Sequence, residues 1–174
     1  MRWTDDQSGK GRTLWRQACR EGSEGIIGKH LDSPYIHGRS SWWVKIKCIG
    51  RQEFVIGGFT DPQRSRVGLG ALLVGYYDAD GETFRYVGKV GTGFNHQMLA
   101  DLRARLDKIR INNSPFAGTE WPRGEHVHYV KPKLVAEIAF AEWTQNDLLR
   151  QPRFEGLRED KDPTTVRRER PRST

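Results

Sequence analysis

Polar and apolar residues alternate strictly along positions 41–48, which carry the sequence SWWVKIKC. Side chains of a β-strand point to opposite faces with a period of two, so Val44 and Ile46 fall on one face. Lys45 and Lys47 fall on the other face, where their ammonium groups repel each other unless an anion lies between them. The alternation predicts a strand whose lysine face is either solvated or bound to an anion.

The first 50 residues predict one helix and two strands. Within residues 1–23, apolar residues recur at helical spacing and Gly22 closes the segment. Short strands are predicted near Glu24–Lys29 and Trp42–Ile49. The loop between them is rich in Asp, Ser, Pro, Gly and Arg, which is typical of an exposed connection.

From residue 52 onward the pattern predicts several strands around one helix. EFVIGGFT at 53–60 forms a strand that breaks at its two glycines, and LGALLVGYYD at 69–78 and FRYVGKV at 84–90 form the next two. In the third strand, alternation assigns Phe84, Tyr86 and Val90 to one face and Arg85, Val87 and Lys89 to the other.

A helix is predicted after the third strand. Asn95 can cap it, and apolar residues follow at a spacing of three or four: Leu99, Leu102, Leu106 and Ile109. The segment 112–115 ends it, and strands at 126–130 and 134–143 follow. Three strands, a helix and two or more strands is the order of an OB-fold, a five-stranded Greek-key barrel, so the predicted fold class is mainly β (α+β).

The 174 residues carry 29 Lys and Arg against 22 Asp and Glu, a net charge of +7, which favours an anionic partner such as nucleic acid. The chain has neither an apolar run of the roughly 20 residues a membrane span needs nor a signal-peptide pattern. A soluble, cytoplasmic protein is therefore expected. Cys19 and Cys48 match no metal-ligand or disulfide framework, and a buried thiol is expected at Cys48.

Three short segments occur in order along the chain: EGIIGK at 24–29, WVKIKC at 43–48 and REDK at 158–161. They resemble motifs IV, V and VI of the covalent nucleotidyltransferases, which comprise DNA ligases, RNA ligases and capping enzymes. The text between them, including GLGALLVGYYD and YVGKVGTGF, resembles the ligase domain of bacterial ligase D, the ATP-dependent ligase of non-homologous end joining. The resemblance runs from about Gly22 to Lys161.

The resemblance implies roles for individual residues in the N-terminal part. Lys45 and Lys47 match the lysines that contact the α-phosphate of ATP or AMP. Glu24 matches the glutamate associated with Mg²⁺, a hard cation that prefers oxygen ligands. Arg39 and Lys29 are expected to contact phosphate. The alternative is a solvated strand surface, since in a regular strand Glu24 and Lys29 face opposite ways.

Near the C-terminus, the resemblance implies that Arg158 and Lys161 orient the pyrophosphate leaving group of ATP. Asp160 is expected to orient those two cations. The alternative is that they form surface ion pairs with Glu159 and Asp160, which contribute little.

The family's nucleophile is the lysine of a Lys-x-Asp-Gly motif, and none of the lysines in this chain is followed by x-Asp-Gly. The expected organisation is a fragment of the adenylation domain at 1–50, an OB domain at 51–162 and a charged, flexible tail at 163–174. Without its partner strands, residues 1–50 would expose a sheet edge. The chain is therefore expected not to adenylate itself.

Three functions fit these observations. The first is the C-terminal part of an ATP-dependent DNA ligase that acts on nicked or broken duplex DNA with an N-terminal ligase half or other end-joining proteins, at the bacterial nucleoid. The second is an OB barrel that binds DNA without catalysis. The third is an adaptor that docks repair proteins. The first accounts best for the set Glu24, Lys45, Lys47, Arg158 and Lys161.

Overall fold

The computed structural model describes residues 8–21, 23–34, 37, 41–63, 67–118 and 120–169. The chain divides into two compact units, Met1–Ile49 and Gly50–Thr174, called here the N-terminal unit and the C-terminal unit. Neither of the two α-helices in the described residues is long and apolar enough to cross a membrane.

The N-terminal unit consists of a helix and a hairpin. Helix α1 spans Gly11–Arg20, and strands β1 (Gly25–Lys29) and β2 (Trp43–Lys47) pair in antiparallel fashion. The predicted helix and both predicted strands are confirmed. The indole Nε1 of Trp15 donates a hydrogen bond to the carbonyl of Lys47 at 3.1 Å, which ties α1 to the end of β2.

The expectation of a free, buried thiol at Cys48 is wrong, because Cys48 forms a disulfide with Cys19. Their Cα atoms lie 5.2 Å apart, within the usual range for a disulfide. Cys19 lies about one turn after Trp15 on α1, and Cys48 directly follows the carbonyl that Trp15 binds. The packing of α1 therefore brings together two cysteines whose sequence spacing gave no sign of pairing.

The C-terminal unit is a curved antiparallel sheet with one α-helix. Its elements in chain order are β3 (Gly50–Thr60), β4 (Leu72–Tyr77), β5 (Phe84–Val90), α2 (His96–Asp107), β6 (Arg110–Ile111), β7 (Val127–Phe140), β8 (Glu142–Trp143), β9 (Leu149–Arg150), β10 (Arg153–Leu157) and a 3-10 helix (Pro163–Thr165). The five main strands lie in the order β10, β7, β3, β4, β5. Beyond β5, the carbonyl of Thr92 accepts from the amide of Phe154 on β10 at 2.9 Å, so the two edges of the sheet meet and the strands curl into the OB-type barrel.

Helix α2 packs on this barrel as its sequence predicts. The side chain of Asn95 accepts a hydrogen bond from the amide of Met98 at 2.8 Å and so caps the helix. Leu99, Leu102 and Leu106 are buried in one core with the strands. The helix ends at Asp107, earlier than predicted.

A bulge replaces the predicted break in the first strand of the barrel. Strand β3 runs continuously from Gly50 to Thr60, and its register shifts between Ile56 and Gly58. A Cβ on Gly57 would lie 2.5 Å from the ring of Phe116. The glycine therefore serves close packing within a continuous strand, which does not end there.

A second bulge corrects the predicted faces of β5. The register passes from Tyr86 to Gly88 without pairing Val87, and Gly88 has φ +149°. Val87 is 1% exposed and belongs to the core, so its assignment to the face of Arg85 and Lys89 is wrong. An unpaired residue breaks the period-two alternation on which that assignment depended.

Part of the charged C-terminal segment packs on the barrel. Val166 is buried, and the carbonyl of Arg167 accepts a hydrogen bond from the side chain of Gln52 at 2.9 Å. The guanidinium of Arg168 lies 4.2 Å from the ring centroid of Trp143, a cation–π contact. These contacts extend the ordered barrel beyond residue 162, where the sequence predicted a tail.

A small ionic cluster lies where β3 ends. Oδ2 of Asp61 lies 2.8 Å from Nε2 of His128, and Nη1 of Arg103 donates to Oδ1 of Asp61 at 3.0 Å. The contact with His128, with a smaller contribution from Arg103, lowers the pKa of Asp61, although burial acts in the opposite direction.

This cluster predicts a loss of stability in acid. A carboxylate whose pKa is lowered by folding stabilises the fold above its unfolded pKa of about 3.9, and that contribution disappears as pH falls through the folded-state pKa. We expect Asp61→Asn to lower the free energy of unfolding at pH 6 and to have a smaller effect at pH 3, because the contribution is lost progressively once pH falls below about 3.9. Urea unfolding at both pH values checks this, with Asp101→Asn on α2 as control. An equal deficit at both pH values would contradict it.

Candidate functional site

The lysines of the N-terminal unit share one face of the hairpin. In the antiparallel register, Ile27 lies opposite Lys45 and Lys29 lies opposite Trp43. Directly opposed residues point to the same face, and alternation adds Lys47. Three ammonium groups of Lys29, Lys45 and Lys47 are therefore presented on one side of two short strands, which is a suitable surface for an anion.

Glu24 also reaches this lysine face. Nζ of Lys45 donates to Oε1 of Glu24 at 2.6 Å. Regular alternation would direct Glu24 to the opposite face, but Gly25, the first residue of β1, has φ +153° and changes the direction of the chain there. Both side chains are exposed, so their pairing contributes little to stability and leaves them accessible to a ligand.

Gly25 is the local requirement for this arrangement. A Cβ at this position would lie 2.2 Å from the carbonyl oxygen of Ile46, and its φ is strained for any other residue. We expect Gly25→Ala to destabilise the hairpin by at least about 1–3 kcal/mol and to raise amide hydrogen exchange in β1 and β2. Gly28→Ala is the control, because a Cβ there would meet the Ile46 side chain at 3.6 Å and the carbonyl oxygen of Val44 at 3.7 Å, both ordinary van der Waals distances. Equal exchange in both variants would contradict the prediction.

Lys29 and Arg39 are the other two residues predicted to contact phosphate. The ammonium of Lys29 lies 4.8 Å from the ring centroid of Trp43, and this cation–π contact holds it at the edge of the lysine face. Arg39 lies outside the described residues.

The REDK segment follows β10 in the C-terminal unit. Arg158 donates from Nε and Nη2 to the two oxygens of Asp160 at 3.0 and 2.9 Å, a bidentate pair. Hydrogen bonding to Arg158 lowers the pKa of Asp160 to about 2, and the same contact raises the pKa of Arg158. This geometry fits the expected orienting role of Asp160.

Lys161 has a different partner from the one its neighbours suggested. Its Nζ lies 3.4 Å from Oε2 of Glu53, and Nη1 of Arg158 lies 2.9 Å from Oε1 of the same carboxylate. Glu159 pairs instead with Arg105 on α2 at 2.8 Å. Sequence analysis did not identify Glu53, because it lies on β3 outside all three motifs.

A groove of about 240 Å³ on the C-terminal unit is bordered by Arg158, Glu159 and Lys161, together with residues of α2 and β7. Four of its lining residues are cationic: Arg105, Lys133, Arg158 and Lys161. Guanidinium and ammonium groups are the usual protein ligands of phosphate. The groove can therefore accept a polyphosphate or another compact anion.

Glu24 is the candidate Mg²⁺ ligand. Within the described residues, no group of three or more His, Cys, Asp or Glu side chains could hold a metal ion. Mg²⁺ in nucleotide sites is commonly held by one or two carboxylates together with phosphate oxygens and water. An exposed carboxylate next to a lysine pair fits this mode as a single protein ligand.

A family comparison decides the assignment. The model of the ATP dependent DNA ligase C terminal region matches residues 65–161, which is more than half of the chain. This chain belongs to the ATP-dependent DNA ligases, as their C-terminal region. The recognised resemblance to ligase D is confirmed by curated relatives and solved structures.

Two relatives illustrate the likeness. The multifunctional non-homologous end joining protein LigD of Pseudomonas aeruginosa is 45% identical over 162 residues, which cover 92% of this chain and 19% of the relative. The multifunctional non-homologous end joining DNA repair protein LigD of Mycobacterium tuberculosis is 40% identical over 164 residues, 92% of this chain and 21% of the relative. The chain thus spans about a fifth of each.

Solved ligase domains share the fold. The ligase domain of M. tuberculosis LigD superposes with a TM-score of 0.63 at 38% identity, covering 91% of this chain and 52% of that one. A mycobacterial DNA ligase D complexed with ATP and MES gives a TM-score of 0.62 at 38% identity, covering 91% of this chain and 51% of that one. The mainly β fold with its OB barrel is therefore that of the ligase D ligase domain over about half its length.

Proposed function

We propose that this chain is the C-terminal part of an ATP-dependent ligase that seals DNA strand breaks in bacterial end joining. The observation that carries the proposal is the lysine face of the hairpin, where Lys45 and Lys47 stand beside Glu24 in a chain similar to LigD. Such ligases transfer AMP from ATP to a lysine, then to a DNA 5′-phosphate, and a 3′-hydroxyl finally displaces AMP.

Each of these steps is an in-line attack at phosphorus, and catalysis consists mainly of positioning and charge stabilisation. Lys45 and Lys47 bind the non-bridging oxygens of the AMP phosphate, which takes part in all three steps. Lys29 and Arg39 add positive charge to the phosphate site. Because the AMP phosphate is present throughout, the lysine face is needed from adenylation to sealing.

Arg158 and Lys161 bind the pyrophosphate group that leaves when ATP donates AMP. Their charges offset the negative charge that builds on the leaving group in the transition state. Asp160 holds the guanidinium of Arg158 in place through the bidentate pair. Since pyrophosphate leaves only in the first step, these residues act on adenylation alone.

Mg²⁺ is the expected metal cofactor, and Glu24 would hold it together with phosphate oxygens. When bound, the ion neutralises phosphate charge and orients the nucleotide. The carboxylate also keeps Nζ of Lys45 on the lysine face through their 2.6 Å contact.

A second polypeptide segment completes the adenylation site in this proposal. The 174 residues contain no Lys-x-Asp-Gly motif, so the nucleophilic lysine comes from an N-terminal ligase half. The hairpin exposes apolar side chains that such a half would cover: Ile27, Val44, Ile46 and Ile49. In these terms, the N-terminal unit is the end of the adenylation domain and the C-terminal unit is the OB domain.

The substrate is nicked or broken duplex DNA, and the OB barrel is the part of the chain that grips it. The net charge of +7 agrees with a polyanionic partner. This function places the chain in the bacterial cytoplasm at the nucleoid, together with other end-joining proteins.

Reconstitution tests the proposal. The chain is mixed with ATP, Mg²⁺ and a nicked duplex, with and without the part of the P. aeruginosa relative that precedes the matched 162 residues, to which this proposal assigns the nucleophilic lysine. We expect sealing only with both parts. Transfer of labelled AMP to a lysine of this chain alone would contradict the assignment of the nucleophile, and no sealing by the pair would contradict the split-ligase function.

The basic charge also supports a second function, a barrel that binds DNA without catalysis. This function predicts that the chain alone binds DNA and that neither mixture seals the nick. The binding would depend on salt, since phosphate contacts release counterions. An adaptor function would instead give firm binding of repair proteins without DNA binding.

A further inference from the structure

Arg158 and Lys161 share one carboxylate that lies far from them in sequence. Oε1 of Glu53 lies 2.9 Å from Nη1 of Arg158, and Oε2 lies 3.4 Å from Nζ of Lys161. Glu53 is part of β3, in the middle of the barrel sheet, whereas the two cations follow β10 at its edge. A single side chain of the sheet therefore contacts two of the four cationic side chains that line the groove.

The sheet provides a reason for Glu53 to bind cations strongly. Its side chain is only 21% exposed, and it lies directly opposite Glu137 of β7 in the strand register. Opposed carboxylates on one sheet face repel each other unless a cation compensates them. Arg158 interacts electrostatically with both, after its stronger contact with Asp160, and its pKa is raised. The guanidinium of Arg158 is therefore held beside the two carboxylates of the sheet.

The contacts of Arg158 hold the guanidinium without exhausting its donors. A guanidinium carries five N–H groups. Two of them donate to Asp160 and one faces Glu53, so two N–H groups lie outside these three contacts. Lys161 likewise has three N–H groups and one contact with Glu53. This geometry suits a residue that orients two phosphate ligands rather than one that blocks them.

We propose that Glu53 is a positioning residue, which holds Arg158 and Lys161 in the orientation that binds the polyphosphate of ATP. The inference rests on the proposed function, because it assigns that role to the two cations. Glu53 lies outside the three motifs. A positioning role predicts that removing its negative charge weakens anion binding, although the charge lies next to the anion site.

The direction in which Glu53→Gln changes the KM for ATP distinguishes a purely electrostatic role of Glu53 from a positioning role. If Glu53 contributed only charge, Glu53→Gln would strengthen the attraction for ATP and lower its KM. If Glu53 positions the cations, we expect the KM for ATP in AMP transfer to rise about tenfold, because the ion pairs that hold Arg158 and Lys161 are lost. Sealing of a nick that already carries AMP should be unchanged. The assay uses the full chain with the N-terminal part described above.

Two further variants sharpen the comparison. Glu155→Gln is the matched control, since Glu155 is 23% exposed on the same sheet and pairs with Arg51 and Arg153 instead of the groove cations. It should leave the KM unchanged. Glu53→Asp keeps the charge but shortens the reach, and we expect a KM between those of Glu53→Gln and the unaltered chain. An unchanged or lower KM in Glu53→Gln would overturn the proposal.

A binding measurement separates this inference from the proposed function. If the unaltered chain and the N-terminal part together transfer no AMP, the proposed ligase function is wrong. The role of Glu53 is then decided by calorimetry, which measures the binding of inorganic tripolyphosphate to the full 174-residue chain without the N-terminal part. Weaker tripolyphosphate binding by Glu53→Gln than by the unaltered chain supports the positioning role. Equal or tighter binding by Glu53→Gln, or no binding by the unaltered chain, overturns it. Thermal unfolding shows whether each variant is folded, and Glu53→Asp carries the test if Glu53→Gln is not.

Discussion

Replacing Lys45 by alanine is expected to slow every step of ligation by at least about 100-fold in the reconstituted two-part enzyme. The ammonium of Lys45 stands on the lysine face, within 2.6 Å of Glu24. We assign it to the AMP phosphate, which takes part in all three chemical steps. Removing one group that stabilises developing charge typically costs about 10²–10³ in rate.

The measurement for Lys45→Ala compares two substrates. Both AMP transfer from ATP and sealing of a nick that already carries AMP should fall by similar factors. Lys108→Ala, an exposed lysine after α2, is the control and should behave as the unaltered chain. The Lys45–Glu24 pair is exposed, so thermal unfolding should change little. Normal sealing by Lys45→Ala would remove Lys45 from the site.

Replacing Arg158 by alanine is expected to impair only the first step, by about 100-fold. Pyrophosphate leaves only when ATP donates AMP, and the groove of the C-terminal unit holds the cations that we assign to it. Once AMP is on the DNA, Arg158 has no leaving group to bind. Sealing of a nick that already carries AMP should therefore proceed at nearly the unaltered rate.

The control for Arg158→Ala must lose a comparable ion pair outside the groove. Arg150→Ala fits, because the exposed side chain of Arg150 on β9 pairs with the exposed side chain of Glu142 on β8. It should leave both steps unchanged. Equal loss of both steps in Arg158→Ala would mean that the residue supports the fold or the DNA contact, and would contradict its assignment to pyrophosphate.

Together, the two variants distinguish a residue that is needed in every step from one that is needed only when ATP donates AMP. Lys45 and Arg158 lie in different units of the chain, so each variant alters only one unit. A uniform loss from Lys45→Ala and a step-specific loss from Arg158→Ala is the pattern that a ligase predicts. A DNA-binding barrel without catalysis predicts neither.

Much of the candidate site could be predicted because its signals are local. Alternation alone places Lys45 and Lys47 on one face of a strand, and the observed register confirms that arrangement. The REDK segment brings Arg158 and Asp160 together because they are only two residues apart. Their roles came from the resemblance to ligases, since charge and spacing alone are equally compatible with a solvated surface.

Other features depend on contacts between segments distant in sequence. Glu53 contacts Arg158 only because the sheet places β10, which precedes Arg158, one strand away from β3, with β7 between them. Cys19 and Cys48 pair because α1 packs on the hairpin. No local pattern encodes such neighbours, so sequence analysis overlooked Glu53 and was wrong about Cys48.

By itself, the sequence determined the first three strands and the helix of the barrel, the cap at Asn95, the buried stripe of α2 and the family, because each depends on near neighbours or on whole matched segments. It did not determine the later strands, since the two strands expected at 126–130 and 134–143 form mainly one strand, β7, and β10 was not expected. Tertiary structure alone decided where alternation fails. Val87 enters the core because a bulge beside Gly88 shifts the strand, and Glu24 reaches Lys45 because Gly25 adopts a positive φ. In both places a backbone conformation that only packing selects overrides the period of two on which the sequence analysis relied.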